Sequence, residues 1–145
     1  MNDQRIYSIL AMAGVTPFVA CAGFALAGVD SIEPVGPLAP LAATYGLAII
    51  SFLTGIHWAT QIYDRHQTGF NLLVASNIVF VAVWLAFVLG STTIALLSQL
   101  TALLLLLGID RWLMSSGVIT THYYRTRSAA TTLAVLSIAG LLLAL

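Results

Sequence analysis

Long apolar runs separated by short polar segments dominate the pattern along this chain. Five runs reach or approach the roughly 20 residues that a membrane-spanning helix needs. They cover residues 6–27, 41–62, 70–89, 92–114 and 129–145. Only Gly90-Ser91 separates the third run from the fourth, which leaves room for a tight turn between antiparallel helices. The pattern predicts an all-α fold: residues 1–145 form a single transmembrane domain, a bundle of five helices.

Composition favours lipid surroundings over water. Hydrophobic residues make up 60% of the chain and charged residues only 7%, whereas soluble domains carry roughly 25% charged residues. The lipid bilayer is therefore the first expected partner. A net charge of zero and the lack of a basic stripe argue against nucleic acid as a partner. The single cysteine, Cys21, excludes an intrachain disulfide and a thiolate metal cluster, and no metal site is predicted.

The arginines predict the orientation of the bundle. The chain has no lysine, and with five crossings all its arginines fall on one side. They are Arg5, Arg65, Arg111, Arg125 and Arg127. The other side carries Asp30 and Glu33. Because positively charged loops stay in the cytoplasm or matrix, we expect the N-terminus inside and the C-terminus outside.

Three irregular features interrupt the apolar runs. Pro17, near the middle of the first helix, predicts a kink there. The outer segment 28–40 contains three prolines and two glycines, which predicts an extended loop poor in regular structure. The inner segment 115–128 mixes apolar, tyrosine and arginine residues and is expected to lie along the lipid headgroups.

Polar residues inside the predicted helices mark the candidate site, because polar groups are costly in hydrocarbon. Most of the strongly polar ones fall in the inner half of the bundle. We expect His57 to face the interior and to hydrogen-bond to Asn77 or Asp110, which lie at similar depth. Two interpretations stay open: a ligand cavity open toward the cytoplasm, or hydrogen bonds that only hold helices together. Asp110 and Arg111 could also form a solvated interfacial pair.

The residues around His57 resemble a known family. Tyr45, the run 49–53 and Gly55-Ile56-His57-Trp58 are similar to the core motif of the DUF3429 family, small membrane proteins like transmembrane protein 69. Gly14-x-x-Pro17-Phe18 matches the family's first-helix pattern, and Tyr123-Tyr124-Arg125-x-Arg127 its aromatic-arginine element. Thr54 replaces a usual glycine, Tyr123 replaces tryptophan, and the proline before that element is missing. The resemblance implies a bacterial inner-membrane or mitochondrial inner-membrane protein and supplies no substrate.

Three functions are compatible with these residues. The lack of a soluble domain, a nucleotide motif or a nucleophile constellation favours an accessory or assembly subunit, in a larger membrane complex or a homo-oligomer. The alternative is a binder or carrier of a small hydrophobic ligand, such as a quinone, a lipid or haem, in a cytoplasm-facing pocket near His57. An intramembrane enzyme using His57 and Asp110 as acid and base is a third hypothesis. The candidate ligand-binding residues are His57, Trp58, Asn71, Asn77, Asp110, Tyr124 and Arg127.

Overall fold

A computed structural model of the chain describes residues 3–63 and 71–145 as a bundle of helices. The helices are α1 Asp3–Ala13, α2 Thr16–Leu26, α3 Leu38–Tyr63, α4 Leu72–Leu89, α5 Thr92–Ser115 and α6 Thr121–Ala144. Since α1 and α2 together form one stretch, the described chain contains five helical segments long and apolar enough to cross a membrane. The prediction of an all-α fold with five such segments is confirmed. Arg65 and residue 70, the predicted start of the third helix, lie outside the described residues.

The first segment is two helices and not one kinked helix. Helix α1 ends at Ala13, α2 begins at Thr16, and Pro17 lies in the first turn of α2. A proline in that turn breaks no helical hydrogen bond, because the first N–H groups of a helix have no partner within it. The bend predicted at Pro17 is present, as an interruption of the helix at residues 14–15 just before the proline. The Gly14 carbonyl, left free at the break, accepts a hydrogen bond from the Tyr45 hydroxyl of α3 at 2.8 Å.

The segment between α2 and α3 contains a small hairpin. Strand β1 (Ser31–Ile32) pairs antiparallel with β2 (Gly36–Pro37). Gly28 and Gly36 have φ angles of 82° and 97°, which glycine adopts without steric cost. The segment predicted to be poor in regular structure thus contains two short strands of two residues each. The hairpin leads directly into α3, whose first residue, Leu38, is buried.

Helix α6 begins at Thr121, before the predicted start at residue 129. Gly117, with φ of 77°, lies in the turn after α5, and the Thr120 hydroxyl caps α6 by accepting from the Tyr123 N–H at 3.2 Å. The segment 115–128 is therefore a turn followed by two helical turns. Because of this early start, Arg127 lies within α6 and is buried.

Helices α3, α5 and α6 surround the buried core, and α4 packs mainly against α3 and α5. Four of the five arginines lie at one end of the bundle, called here the arginine end: Arg5, Arg111, Arg125 and Arg127. A hydrogen bond from the Leu72 N–H to Gln61 Oε1, at 3.0 Å, brings the start of α4 to this end beside the end of α3. A 3.2 Å contact between Ser8 and His122 joins α1 to α6 there. The hairpin lies at the other end, with Asp30 and Glu33 beside it.

Candidate functional site

Three helices bring a histidine, an aspartate and an arginine together in the interior near the arginine end. His57 Nε2 of α3 donates to Asp110 Oδ1 of α5 at 2.9 Å, and Arg127 Nε of α6 donates to Asp110 Oδ2 at 3.0 Å. The three residues are only 2%, 2% and 7% exposed. We call them the buried triad. The prediction that His57 faces the interior and bonds to Asp110 is confirmed.

The Asp110 carboxylate accepts hydrogen bonds from two donors. Each oxygen of Asp110 has its own N–H partner, so neither side is left without a hydrogen bond. Arg127 and Asp110 balance each other in charge. Asp110 is therefore no solvated partner of Arg111, which is exposed. That interpretation is wrong because the last turn of α5 points Asp110 into the bundle.

The other predicted site residues make no hydrogen bond to the triad among the described residues. Asn77 is exposed on α4 and donates back to the Leu73 carbonyl of its own helix at 2.8 Å. Asn71 caps the start of α4 by accepting from the Leu73 N–H at 2.9 Å. Trp58 is 42% exposed on the outer side of α3. Tyr124 is partly buried on α6. The sequence argument matched these residues by depth, but depth does not say which way a helix turns them.

A cavity of about 270 Å³ lies beside the triad, between the first two helices and α3, α5 and α6. Its wall is almost wholly apolar. Four polar residues line it, all toward the arginine end: Tyr7, Tyr123, Arg127 and Thr131. Of the seven predicted site residues, only Arg127 lines this cavity. Arg127 is therefore the residue that connects the buried triad to the cavity.

Polar groups at this end of the cavity lack partners within the described part of the chain. The Tyr7 hydroxyl and Thr131 Oγ1 are buried and make no hydrogen bond there. Arg127 uses Nε for Asp110, and no hydrogen bond from its two terminal nitrogens is found among the described residues. The Tyr7 ring stacks on Tyr123, with centroids 5.2 Å apart, which holds the Tyr7 hydroxyl near this end. Such groups are costly to leave unpaired.

The cavity opens on the flank of the bundle. Leu10 of α1 and Phe52 of α3 both line it and are 65% and 67% exposed. Helix α1 packs against α6 and makes hardly any contact with α3, so a gap is left between α1 and α3. The opening therefore lies between these two helices.

Sequence reasoning missed Tyr7, Tyr123 and Thr131 as cavity residues. A signal for two of them exists: Tyr123, Arg127 and Thr131 recur every fourth residue, which places them on one face of a helix. The predicted start of the last helix at 129 hid this periodicity. No pattern around Tyr7 indicates its position, because that depends on how α1 packs against α6.

The chain is thus a five-segment helical bundle with a buried triad and an adjoining apolar cavity. A family model described as "Protein of unknown function (DUF3429)" matches residues 4–143, nearly the whole chain. The protein belongs to the DUF3429 family, as the motifs around Gly14, His57 and Arg127 predicted. No curated protein and no solved structure matches it. Its function is therefore argued from the geometry of the cavity.

Proposed function

We propose that this protein spans a membrane and binds a small hydrophobic ligand with a polar head in the cavity beside Arg127. One observation carries the proposal: the cavity wall is apolar, yet at one end the Tyr7 and Thr131 hydroxyls, which have no partner among the described residues, lie with the Arg127 guanidinium. Ligand sites typically combine such a wall with a few convergent polar groups. A ligand head would supply the missing hydrogen bonds while its body covers the apolar wall.

The size and the opening of the cavity support a ligand that comes from lipid. A protein cavity of about 150 Å³ holds benzene, so about 270 Å³ accepts a substituted ring or a length of hydrocarbon chain. An opening on the flank between α1 and α3 faces the bilayer if the bundle spans it. Haem fits poorly, because His57 does not line the cavity and its Nε2 is already bonded to Asp110.

The placement in the membrane follows from charge. The arginine end should face the cytoplasm, with the N-terminus inside and the hairpin outside, in the bacterial inner membrane or the mitochondrial inner membrane. The polar end of the cavity then lies near the inner leaflet. A ligand would enter with its head at the depth of the inner headgroups.

This orientation predicts opposite labelling of the two ends. In a Cys21→Ala background, Arg125→Cys should react with a membrane-impermeant maleimide only from the cytoplasmic side, and Glu33→Cys only from outside. Both positions are exposed, so the reagent can reach them. Labelling of Glu33→Cys from the cytoplasm alone would contradict the orientation. The unmodified Cys21 chain is the control, since Cys21 is buried.

Ligand binding predicts a co-purified small molecule. Native mass spectrometry of the chain extracted in lipid nanodiscs should show one added mass of a few hundred daltons per protein. Ala134→Phe should remove it, because Ala134 is buried in the cavity wall and the phenyl group fills that space. The matched control is Ala129→Phe, at an exposed position of the same helix. An Ala134→Phe protein that keeps the added mass would contradict the site.

A second candidate is an accessory or assembly subunit, favoured by the outer face of α4. Asn77 and Trp84 are both exposed there, on an otherwise apolar helix that buries little of its surface. An amide exposed to lipid gains if a neighbouring helix covers it. The same mass spectra decide between the candidates, since a stoichiometric protein partner or homo-oligomer without a small molecule would favour this role.

A further inference from the structure

We infer that the ligand is a single-chain carboxylate, a fatty acid whose head binds Arg127, Tyr7 and Thr131. The inference rests on the proposed function and specifies its ligand. The first argument is chemical. Arg127 can only donate, and the hydroxyls of Tyr7 and Thr131 can donate as well. A carboxylate offers two acceptor oxygens and no donor, and guanidinium binds it by charge-assisted hydrogen bonds. An alcohol or ester head lacks the charge.

The second argument is electrostatic. Asp110 already balances one positive charge of Arg127, so a bound carboxylate adds a negative charge to the triad. Among the described residues, the arginine end carries Arg5, Arg111, Arg125 and Arg127 against only two acidic residues, Asp3 and Asp110. The surroundings of the polar end are therefore net positive. This field favours an anionic head over a neutral quinone carbonyl.

The third argument is shape. The cavity lining follows α6 from Tyr123 to Ala134, which at 1.5 Å per residue is about 16 Å. A volume of about 270 Å³ lined over that length describes an elongated cavity. Such a shape suits a single hydrocarbon chain better than two chains side by side. The chain would run from the head at Arg127 toward Phe18.

The opening between α1 and α3 completes the arrangement. Leu10 and Phe52 flank it, so a chain can enter sideways from the bilayer without crossing the polar end of the bundle. With the arginine end inside, the carboxylate would lie at the same depth as the inner headgroups. The ligand would then keep the orientation that it has in the membrane.

A binding series with the full chain in nanodiscs tests the head group. The probe is radiolabelled dodecanoate, and the competitors are unlabelled dodecanoate, dodecanol, methyl dodecanoate and a short-chain ubiquinone. Dodecanoate should compete at least about tenfold better than the alcohol and the ester, since hydrogen bonds to a charged head contribute more than those to a neutral one. Equal or better competition by the alcohol, ester or quinone overturns the inference and leaves the proposed function standing. If the labelled probe does not bind and no small molecule co-purifies, both the proposed function and the inferred ligand are wrong.

Two variants test the location without disturbing the triad. Tyr7→Phe and Thr131→Val remove hydroxyls that have no described partner, so the melting temperature should be unchanged or slightly higher. Each should weaken dodecanoate binding by about five- to tenfold. Tyr63→Phe is the matched control, because Tyr63 is 85% exposed. Unchanged dodecanoate affinity in both variants would overturn the assigned head position.

Discussion

Replacing Asp110 with asparagine should lower the free energy of unfolding by about 3–5 kcal/mol, the largest effect expected of any single substitution here. The amide keeps the volume but removes the charge that balances Arg127, which is only 7% exposed. An ordinary hydrogen bond between membrane helices contributes only about 0.6 kcal/mol on average. The loss should far exceed that figure, because it leaves a buried guanidinium without a counterion.

Unfolding of the wild type and the variants in mixed micelles measures this loss. Arg125→Gln is the control, since it removes a charge from the same end at an exposed position and should cost less than about 0.5 kcal/mol. Adding Arg127→Gln to Asp110→Asn should recover part of the stability, because the unpaired charge disappears. If Asp110→Asn costs no more than about 1 kcal/mol, the triad is not the electrostatic unit described here.

The sequence predicted the five segments correctly because length and apolarity alone determine them. It failed where local chemistry decides the boundary. Pro17 predicted an interruption of the first segment, but not its position at residues 14–15 or the Tyr45 hydroxyl that bonds to the Gly14 carbonyl there. Likewise, the polar character of Thr121 to Arg127 suggested a loop. Those residues are helical because Thr120 caps the helix and Arg127 hydrogen-bonds to Asp110 in the interior.

The depth of each site residue along its helix was predictable, but the side of the helix that it faces was not. His57 and Asp110 were matched by their distance from the inner ends of their helices, and they meet. Asn77 passed the same test but points outward, because helix rotation depends on packing against all neighbours. The cavity could not be predicted, since it results from the gap between α1 and α3. The apolar residues that line the cavity have the same sequence pattern as any packed helix face.

The family motifs come together in two places. Gly14 and Phe18 from the first motif contact Tyr45 from the second: the hydroxyl bonds to Gly14, and the Phe18 and Tyr45 rings meet edge to face at 5.2 Å. His57 from the second motif and Arg127 from the third meet at Asp110. The first cluster sets the bend between α1 and α2, and the second fixes Arg127 on the opposite wall. Both clusters thereby shape the cavity that lies between them.

Replacing Gly46 with alanine should destabilise the bundle by about 1–3 kcal/mol. Gly46 of α3 is buried against Gln99 of α5, and a Cβ there would overlap the Gln99 side-chain amide. Gln99 is fully buried and donates to the Ala43 carbonyl at 2.6 Å. The amide can make room only by breaking that bond or by moving α5 away. Either change loosens the contact between the two helices that carry His57 and Asp110.

Gly55→Ala is the matched control for this contact. It lies on the same helix, and a Cβ there meets no atom within 4 Å, so the stability should be unchanged or slightly higher. Adding Gln99→Ala to Gly46→Ala should restore part of the lost stability, since the overlapping amide is gone. If Gly46→Ala and Gly55→Ala unfold at the same detergent concentration, α3 and α5 do not approach as closely as described. A loss confined to Gly46→Ala would instead show that Gln99 holds α5 against α3, and so keeps Asp110 within reach of His57.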